Sequence, residues 1–275
     1  MSAELHARLS SRLEASRTGD GFGPRAGLPP EPEPTALAAI ALDDEDARAW
    51  LLDHQRADGG FALVVGTVVN DSATGLAALA LPPGDAREQA LDHLASHRAP
   101  SMPYQPLVPY DPDTRGWGWT PDTFGWVEPT ARALAALRAL RPTETALIAD
   151  GLAVLADREC ADGGWNYGTR AVFGDDMPAF GQTTAAALIG VQHADPALAT
   201  RGATALRRLW REERGGLTLA MAVAALRLLV DPDAGEAETA LGEALDGGDL
   251  DDDPVALGWA TIATGPGLDA LRGSA

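Results

Sequence analysis

Two kinds of helical segment alternate along the chain. One kind is apolar on nearly every side and rich in alanine and leucine, and these segments follow Glu33, Asp71, Glu128, Gln182, Gly216 and Asp253. The other kind is amphipathic and covers residues 44–55, 85–97, 144–158, 196–211 and 235–245. With a further helix before residue 16, the pattern predicts twelve helices in six hairpins.

The alternation also predicts how the helices pack. A helix that is apolar all round must be buried among neighbours, whereas an amphipathic helix can face water on one side. We therefore expect an all-α, (α/α)6 toroid, with an apolar inner ring and an amphipathic outer ring, occupying residues 1–275 as a single domain. An open solenoid has the same local pattern and is the alternative. We find no convincing strand pattern, and only residues 61–69 are ambiguous.

Short motifs repeat together with the helices. Residues 33–36 and 128–131 both read EPTA before an apolar run, and an acid followed by Pro and Thr is typical of a helix start. Residues 55–61 read QRADGGF and residues 159–165 read ECADGGW, and residues 19–22 and 213–217 are weaker copies. In such loops Asp and Gly form a turn, and the aromatic residue anchors it on the core.

The loop motif followed by an EPTA-type helix start resembles the repeat of the squalene–hopene cyclase and protein prenyltransferase superfamily. The resemblance covers most of the chain and implies an α/α toroid that handles a hydrophobic, isoprenoid-type small molecule. Because the superfamily includes cyclases, prenyltransferases and non-catalytic members, it leaves open whether this chain is an enzyme or a binding or scaffold protein. The zinc site of the prenyltransferases is not expected, since residues 180–184 contain no thiol.

An acidic segment precedes the last apolar helix. Residues 249–252 read DLDD, which matches the D-x-D-D motif with which class II terpene cyclases of this superfamily protonate an alkene or epoxide. By resemblance Asp251 is the acid, supported by Asp249 and Asp252, and the reaction is an acid-initiated cyclisation or isomerisation. Neighbouring carboxylates resist ionising together, but the role also requires Asp251 to face a closed apolar cavity. A solvated loop or a calcium site over residues 246–253 is the alternative.

The apolar helices should all begin at one end of the toroid, where their dipoles converge on a single mouth. Glu33, Asp71 and Glu128 lie at three of these helix starts. They are candidates for substrate binding or, in an enzyme of another type, for acid–base chemistry. The simpler interpretation is that each only caps its helix.

Most aromatic residues are concentrated in two long loops, 98–128 and 159–182. We expect both loops to lie over one mouth. The candidates for lining an apolar pocket, where ring faces stabilise a carbocation, are Trp119, Trp126, Trp165, Tyr167 and Phe180. Alternatively, the rings plug the mouth or pack the loops onto its rim.

The composition limits the classes of partner and cofactor that we expect. With 40 acidic and 21 basic residues the formal net charge is −19, which disfavours nucleic acid and anionic membranes. Cys160 is the only cysteine and is predicted to be a small buried side chain. Beyond a weakly indicated divalent cation at Asp175 and Asp176 or at residues 246–253, no cofactor is expected. A polar N-terminus and the lack of a membrane-length apolar run predict a cytoplasmic protein, with no protein partner defined.

Overall fold

The computed structural model describes residues 2–104 and 106–273 and is almost entirely helical. In chain order the α-helices are α1 (Ser2–Ala15), α2 (Pro32–Leu42), α3 (Glu45–His54), α4 (Asp71–Ala80), α5 (Asp85–Ser96), α6 (Val127–Leu140), α7 (Thr145–Asp157), α8 (Gly181–Val191), α9 (Pro196–Glu212), α10 (Gly216–Leu228), α11 (Ala234–Gly247) and α12 (Pro254–Thr264). A 3₁₀ helix (Pro266–Leu271) follows α12. Two short antiparallel strands, β1 (Ala171–Val172) and β2 (Asp175–Asp176), form a hairpin that the sequence pattern did not predict.

The even-numbered helices form a closed inner ring. Each contacts the next even-numbered helix, and α12 contacts α2, which closes the ring. The helices α3, α5, α7, α9 and α11 each pack outside the inner helix that precedes them, and α1 packs against α12. The predicted all-α toroid is confirmed, and the closing contact between α12 and α2 rules out an open solenoid.

The inner helices approach one another closely because small residues face their neighbours. Every residue from 219 to 226 of α10 is completely buried. A methyl group at Gly75 of α4 would come within 2.9 Å of the backbone of α6, and one at Gly190 of α8 within 2.8 Å of the same helix. These two glycines therefore set the spacing of α6 from both of its neighbours in the ring.

One hydrogen bond recurs in four of the hairpins and anchors each loop to its inner helix. The backbone N–H of a buried aromatic residue donates to the hydroxyl of a threonine, which is the fourth residue of the next inner helix. The pairs are Phe22 with Thr35 (3.0 Å), Phe61 with Thr74 (2.9 Å), Trp117 with Thr130 (3.1 Å) and Trp165 with Thr184 (2.9 Å). The third copy could not be recognised from the sequence because Thr114-Arg115-Gly116 stands where the loops before Phe61 and Trp165 have Asp-Gly-Gly.

The two ends of the ring differ. The loops that lead from outer to inner helices surround the N-terminal ends of the inner helices, which we call the N-terminal mouth. At the opposite end the 3₁₀ helix contacts α2, α4, α6 and α12 and closes the ring. The buried side chain of Gln192 holds this segment, because its amide donates to the Leu271 carbonyl (2.6 Å) and accepts from the Gly273 N–H (3.2 Å).

Candidate site at the N-terminal mouth

A buried arginine joins two of the predicted rim carboxylates. Arg132 lies in the second turn of α6, and its Nη1 donates to Oε1 of Glu33 on α2 at 2.7 Å, while its Nη2 donates to Oε1 of Glu128. The side chains of Arg132 and Glu128 are each 6% exposed, and that of Glu33 is 14% exposed. The structure therefore brings Glu33 and Glu128 together, through a residue that sequence analysis did not select. We call these three residues the Arg132 cluster.

Burial dominates the proton affinity of Glu128. Loss of hydration raises the pKa of Glu128 above its ordinary value of 4.5, Arg132 opposes the rise, and the charge of Glu33 adds to it. For Arg132, burial lowers the pKa, but Glu128 and Glu33 more than compensate, so the guanidinium stays charged. A carboxyl group with a raised pKa can hold a proton where an ordinary glutamate is ionised, which is the property of a general acid.

The centre of the ring is almost completely filled. The cavity inside it measures about 10 Å³ and is lined by apolar side chains that include Leu76, Met221, Trp259 and Leu271, with Arg132 at its edge. This volume is about that of one water molecule and is far smaller than an isoprenoid. Side chains of the inner helices and of the 3₁₀ helix fill the centre, so the loop aromatics are not needed as a plug.

The acidic motif before α12 does not face this cavity. Asp249, Asp251 and Asp252 are exposed, and Asp251 forms an ion pair with Arg12 on the outer helix α1. An exposed carboxylate beside an arginine lacks the closed apolar cavity that this role requires. The position of Asp251 therefore does not meet the requirement for the proton donor that the D-x-D-D resemblance implies, and we do not assign that role to it.

Asp71 takes part in a different set of contacts from the Arg132 cluster. Its Oδ1 lies 3.4 Å from Nε2 of His93 on α5, and its Oδ2 accepts a hydrogen bond from the Gly118 N–H at 3.1 Å. Both Asp71 and His93 are buried. These contacts connect the start of α4 to the outer helix α5 and to the loop before α6. Asp71 therefore stabilises the rim of the mouth through partners that lie outside the inner ring.

The predicted aromatic residues occupy three kinds of environment. Trp165 is completely buried, and its indole N–H donates to the Leu155 carbonyl at 2.7 Å, so it anchors its loop instead of lining an open pocket. Trp119 and Trp126 are half-buried. Tyr167 is 55% exposed, and its ring centroid lies 5.6 Å from that of the half-buried Phe180. Tyr167 and Phe180 thus form a partly exposed aromatic pair at the mouth.

The loops around the mouth carry most of the large apolar side chains that the described residues expose. They are Leu28, Leu63, Val64, Val65, Val68, Tyr104, Leu107, Tyr167, Phe173 and Met177. We call this set the apolar mouth surface. Only Leu52 on α3 and Val230, in the loop after α10, are comparably exposed elsewhere among the described residues. Single exposed apolar residues are common, but ten of them in the loops at one end of the ring make this surface the candidate binding site.

Backbone and side-chain hydrogen bonds connect neighbouring loops of this surface. Glu31 accepts a hydrogen bond from the Val65 N–H at 2.6 Å, which links the loops before α2 and α4. The Phe173 N–H donates to the Leu107 carbonyl at 2.9 Å, which links the loops before α6 and α8. These two bonds connect neighbouring loops of the apolar mouth surface in pairs.

Phe173 is the most exposed ring of this surface and has an unfavourable backbone conformation. It occupies the tip of the β1–β2 hairpin, is 74% exposed and has a φ of 54°, and Gly174 follows with a φ of 90°. Two-residue hairpin turns with positive φ at both positions favour Asn-Gly, and a bulky residue there is strained. Strain of this kind is concentrated at functional sites, which makes Phe173 a candidate contact residue.

The remaining candidate residues do not come together in a common site. Asp175 and Asp176 are exposed in β2, and in residues 2–104 and 106–273 no three His, Cys, Asp or Glu side chains form a group that could hold a metal ion. Cys160 is buried, and loss of hydration raises the pKa of its thiol to about 11. Within the described ranges, every helix is too short or too polar to cross a membrane.

The fold is similar to several solved structures. No protein-family model matches the chain, and no curated protein matches it in sequence. A protein from Actinoplanes is similar with a TM-score of 0.59 and 18% identity over 99% of each chain. Type II terpene cyclase MstE from Scytonema has a TM-score of 0.59 and 16% identity over 89% of this chain and 78% of its own. A reducing end xylose-releasing exo-oligoxylanase has a TM-score of 0.57 and 15% identity over 99% of this chain and 92% of its own.

These similarities define the class of fold. The chain has the helical toroid fold that terpene cyclase MstE has, and an oligoxylanase shares the same architecture. Because proteins with such different chemistry have this fold, function must be argued from the residues at the mouth.

Proposed function

We propose that the protein binds a hydrophobic small molecule of the isoprenoid type at its N-terminal mouth, and that residues 1–275 serve this function as one domain. The observation that carries the proposal is the apolar mouth surface, which lies at the same end of the ring as the buried Arg132 cluster. Among the predicted substrate-binding residues, Glu33, Tyr167 and Phe180 keep this role.

The size of the central cavity supports binding at the mouth instead of inside the ring. A volume of about 10 Å³ cannot accommodate an isoprenoid chain, whereas ligand pockets are typically about 300 to 1,000 Å³. The exposed rings and aliphatic side chains of the mouth offer the large apolar contact area that such a chain requires.

The similarity in fold supports the ligand class. Terpene cyclase MstE variants have been solved in complex with geranylgeranyl dihydroxybenzoate as substrate and with merosterolic acid A as product. A toroid of this kind can therefore bind isoprenoid molecules, and the apolar mouth surface gives this chain the means to do so.

Native mass spectrometry tests the binding directly. Purified protein mixed with farnesol or geranylgeraniol should give a one-to-one complex, and a denatured sample should release the ligand. If neither alcohol gives a complex, and the freshly purified protein carries no bound lipid, the proposed function is wrong.

We further propose that chemistry on the bound molecule starts at Glu128. The protonated carboxyl transfers its proton to a double bond of the ligand, and the resulting carbocation rearranges or cyclises before it returns a proton to the Glu128 carboxylate. Burial raises the pKa of this carboxyl group, Arg132 opposes the rise and Glu33 adds to it. Glu128→Gln should abolish product formation while farnesol binding stays within about twofold, since the change keeps the shape of the side chain. If Glu128→Gln lost product formation and farnesol binding together, the catalytic role would be contradicted.

The filled centre favours a second candidate, a toroid that binds its ligand without converting it. Here farnesol or geranylgeraniol would bind at the mouth and be recovered unchanged after incubation. Chromatography of the extracted ligand separates the two candidates, because a cyclised or isomerised product appears only if Glu128 acts as an acid.

A further inference from the structure

We infer that the polar end of the bound molecule is an alcohol or an amine, that is, a neutral or cationic hydrogen-bond donor, and not a diphosphate. The inference rests on the proposed function, because it concerns the ligand of the same mouth. It follows from the partners that Arg132, most of the mouth arginines and several of the helix ends already have.

The cation of the Arg132 cluster is not available to an anionic group. Nη1 of Arg132 donates to Glu33 and Nη2 donates to Glu128, so both terminal nitrogens already have carboxylate partners. The cluster holds two acidic groups and one arginine, and Glu33 retains its partial exposure at the mouth. A diphosphate would have to displace a buried carboxylate, whereas a hydroxyl or ammonium group can donate to Glu33 directly.

Three of the six inner-helix N-termini, those of α4, α8 and α12, would otherwise attract an anion but already have a side-chain acceptor. The Gly181 N–H at the start of α8 donates to Oε2 of Glu213 at 2.9 Å. The Ala256 N–H in the first turn of α12 donates to Oδ1 of Asp253 at 2.9 Å, and Asn70 caps α4 in the same way. An anion at the start of α8 or α12 would therefore meet a carboxylate, and the first turns of α2 and α6 contain Glu33 and Glu128.

Most arginines of the mouth loops for which partners are described have carboxylates beside them. Arg56 pairs with Asp58 at 3.3 Å, Arg214 pairs with Glu243 at 2.8 Å, and Arg170 lies 4.0 Å from Asp157. Arg25 and Arg115 are exposed on the same face. A diphosphate would have to bind to these two arginines. Their substitution is therefore the control for the outcome in which farnesyl diphosphate binds tightly.

The exposed rings add a preference for positive charge. Tyr167 and Phe173 are 55% and 74% exposed, and a cation is attracted to the face of an accessible aromatic ring. Asp175 and Asp176 follow Phe173 at the hairpin tip and are both exposed. An ammonium group at the end of an apolar chain would therefore meet both an aromatic face and a negative field.

Three ligands with the same chain test the inference. Calorimetric titration at low salt compares farnesylamine, farnesol and farnesyl diphosphate, each below its aggregation concentration. We expect the amine to bind at least as tightly as the alcohol, and both to bind about tenfold or more tightly than the diphosphate, because exposed charges at short range change affinity by this order. Glu33→Gln should remove the advantage of the amine over the alcohol, and added salt should reduce it.

The possible outcomes distinguish a failure of the proposed function from a failure of the inference about the polar end of the ligand. If none of the three ligands binds, the proposed function itself is wrong. If all three bind and the diphosphate binds as tightly as the alcohol or more tightly, the inference is wrong while the proposed function stands. In that case the double variant Arg25→Gln, Arg115→Gln should weaken the diphosphate selectively and locate its head group.

Discussion

Nη1 of Arg132 lies 2.7 Å from Oε1 of Glu33, although 99 residues separate the two in sequence. The contact joins α6 to α2 past the intervening helix α4, and with Glu128 it brings three ionisable groups together at the N-terminal mouth. In the other EPTA segment, Leu37 stands at the position of Arg132 and is completely buried. The fold itself therefore does not require a charge at this position, which points to a role at the mouth.

Removing the arginine should destabilise the protein strongly. Arg132→Leu leaves Glu33 and Glu128 buried without their cation, and breaking a buried ion pair in this way costs about 3–5 kcal/mol. Urea denaturation followed by circular dichroism measures the loss. Adding Glu33→Gln and Glu128→Gln to the same variant should recover most of it. A single variant within about 1 kcal/mol of the wild type would show that the cluster is not buried as described.

The raised pKa of Glu128 predicts the direction of a pH effect. A carboxyl group whose pKa is higher in the folded state binds more protons there than in the unfolded chain, so its contribution to stability falls as the pH rises. This contribution to stability begins to fall near pH 4.5, the ordinary pKa of a glutamate, and is lost once the pH exceeds the raised pKa of the folded state. Comparing urea unfolding of the wild type and Glu128→Gln from about pH 4.5 to about pH 8 isolates this contribution. Parallel curves for the two proteins would contradict the raised pKa.

The recurring threonine anchor predicts a specific cost. Thr184→Val keeps the shape of the side chain but leaves the buried Trp165 N–H without its acceptor, which costs about 1–3 kcal/mol. Thr200→Val on the exposed side of α9 is the matched control and should change stability by no more than about 0.5 kcal/mol. Thermal and urea unfolding of the two variants measure the difference. Equal effects would mean that the anchor does not contribute.

The closure of the ring at the end opposite the mouth predicts a cavity effect. Leu271 from the 3₁₀ helix lines the central cavity and is completely buried. Leu271→Ala should enlarge the cavity and destabilise the protein by about 2–5 kcal/mol. Leu52→Ala, at a position that is 44% exposed on α3, is the control and should have little effect. Similar unfolding midpoints for both variants would show that Leu271 does not close the ring.

The architecture could be predicted from the sequence because its signals are local and repeated. The alternation of apolar and amphipathic segments determines which helices lie inside, and the EPTA starts at Glu33 and Glu128 mark two of them. The short hairpin with Phe173 at its tip could not be predicted, since two-residue strands leave no periodic pattern. The 3₁₀ helix that closes the ring was also outside the pattern, because it is too short to show helical periodicity.

The site was predicted only in part because burial decides its chemistry. Asp251 belongs to a segment that matches the D-x-D-D sequence motif. Its exposure and its ion pair with Arg12, however, depend on how α1 packs against α12. Arg132 carried one sequence signal, since an arginine replaces the leucine of the other EPTA segment, yet its two partners are evident only in the folded ring. Tyr167 and Phe173 could be placed in a loop, but not on its exposed side.

Binding at the apolar mouth surface is the central claim, and matched surface variants test it most directly. The double variant Tyr167→Ser, Phe173→Ser removes the two most exposed rings of the loop before α8, while Val230→Ser removes an apolar side chain of 81% exposure away from the mouth. Calorimetric titration with farnesol should show the dissociation constant of the double variant raised about tenfold or more, since losing partial burial of two rings costs about 1.5–3 kcal/mol. Val230→Ser should bind like the wild type. Equal affinities for all three proteins, or weakening by Val230→Ser alone, would contradict binding at the mouth.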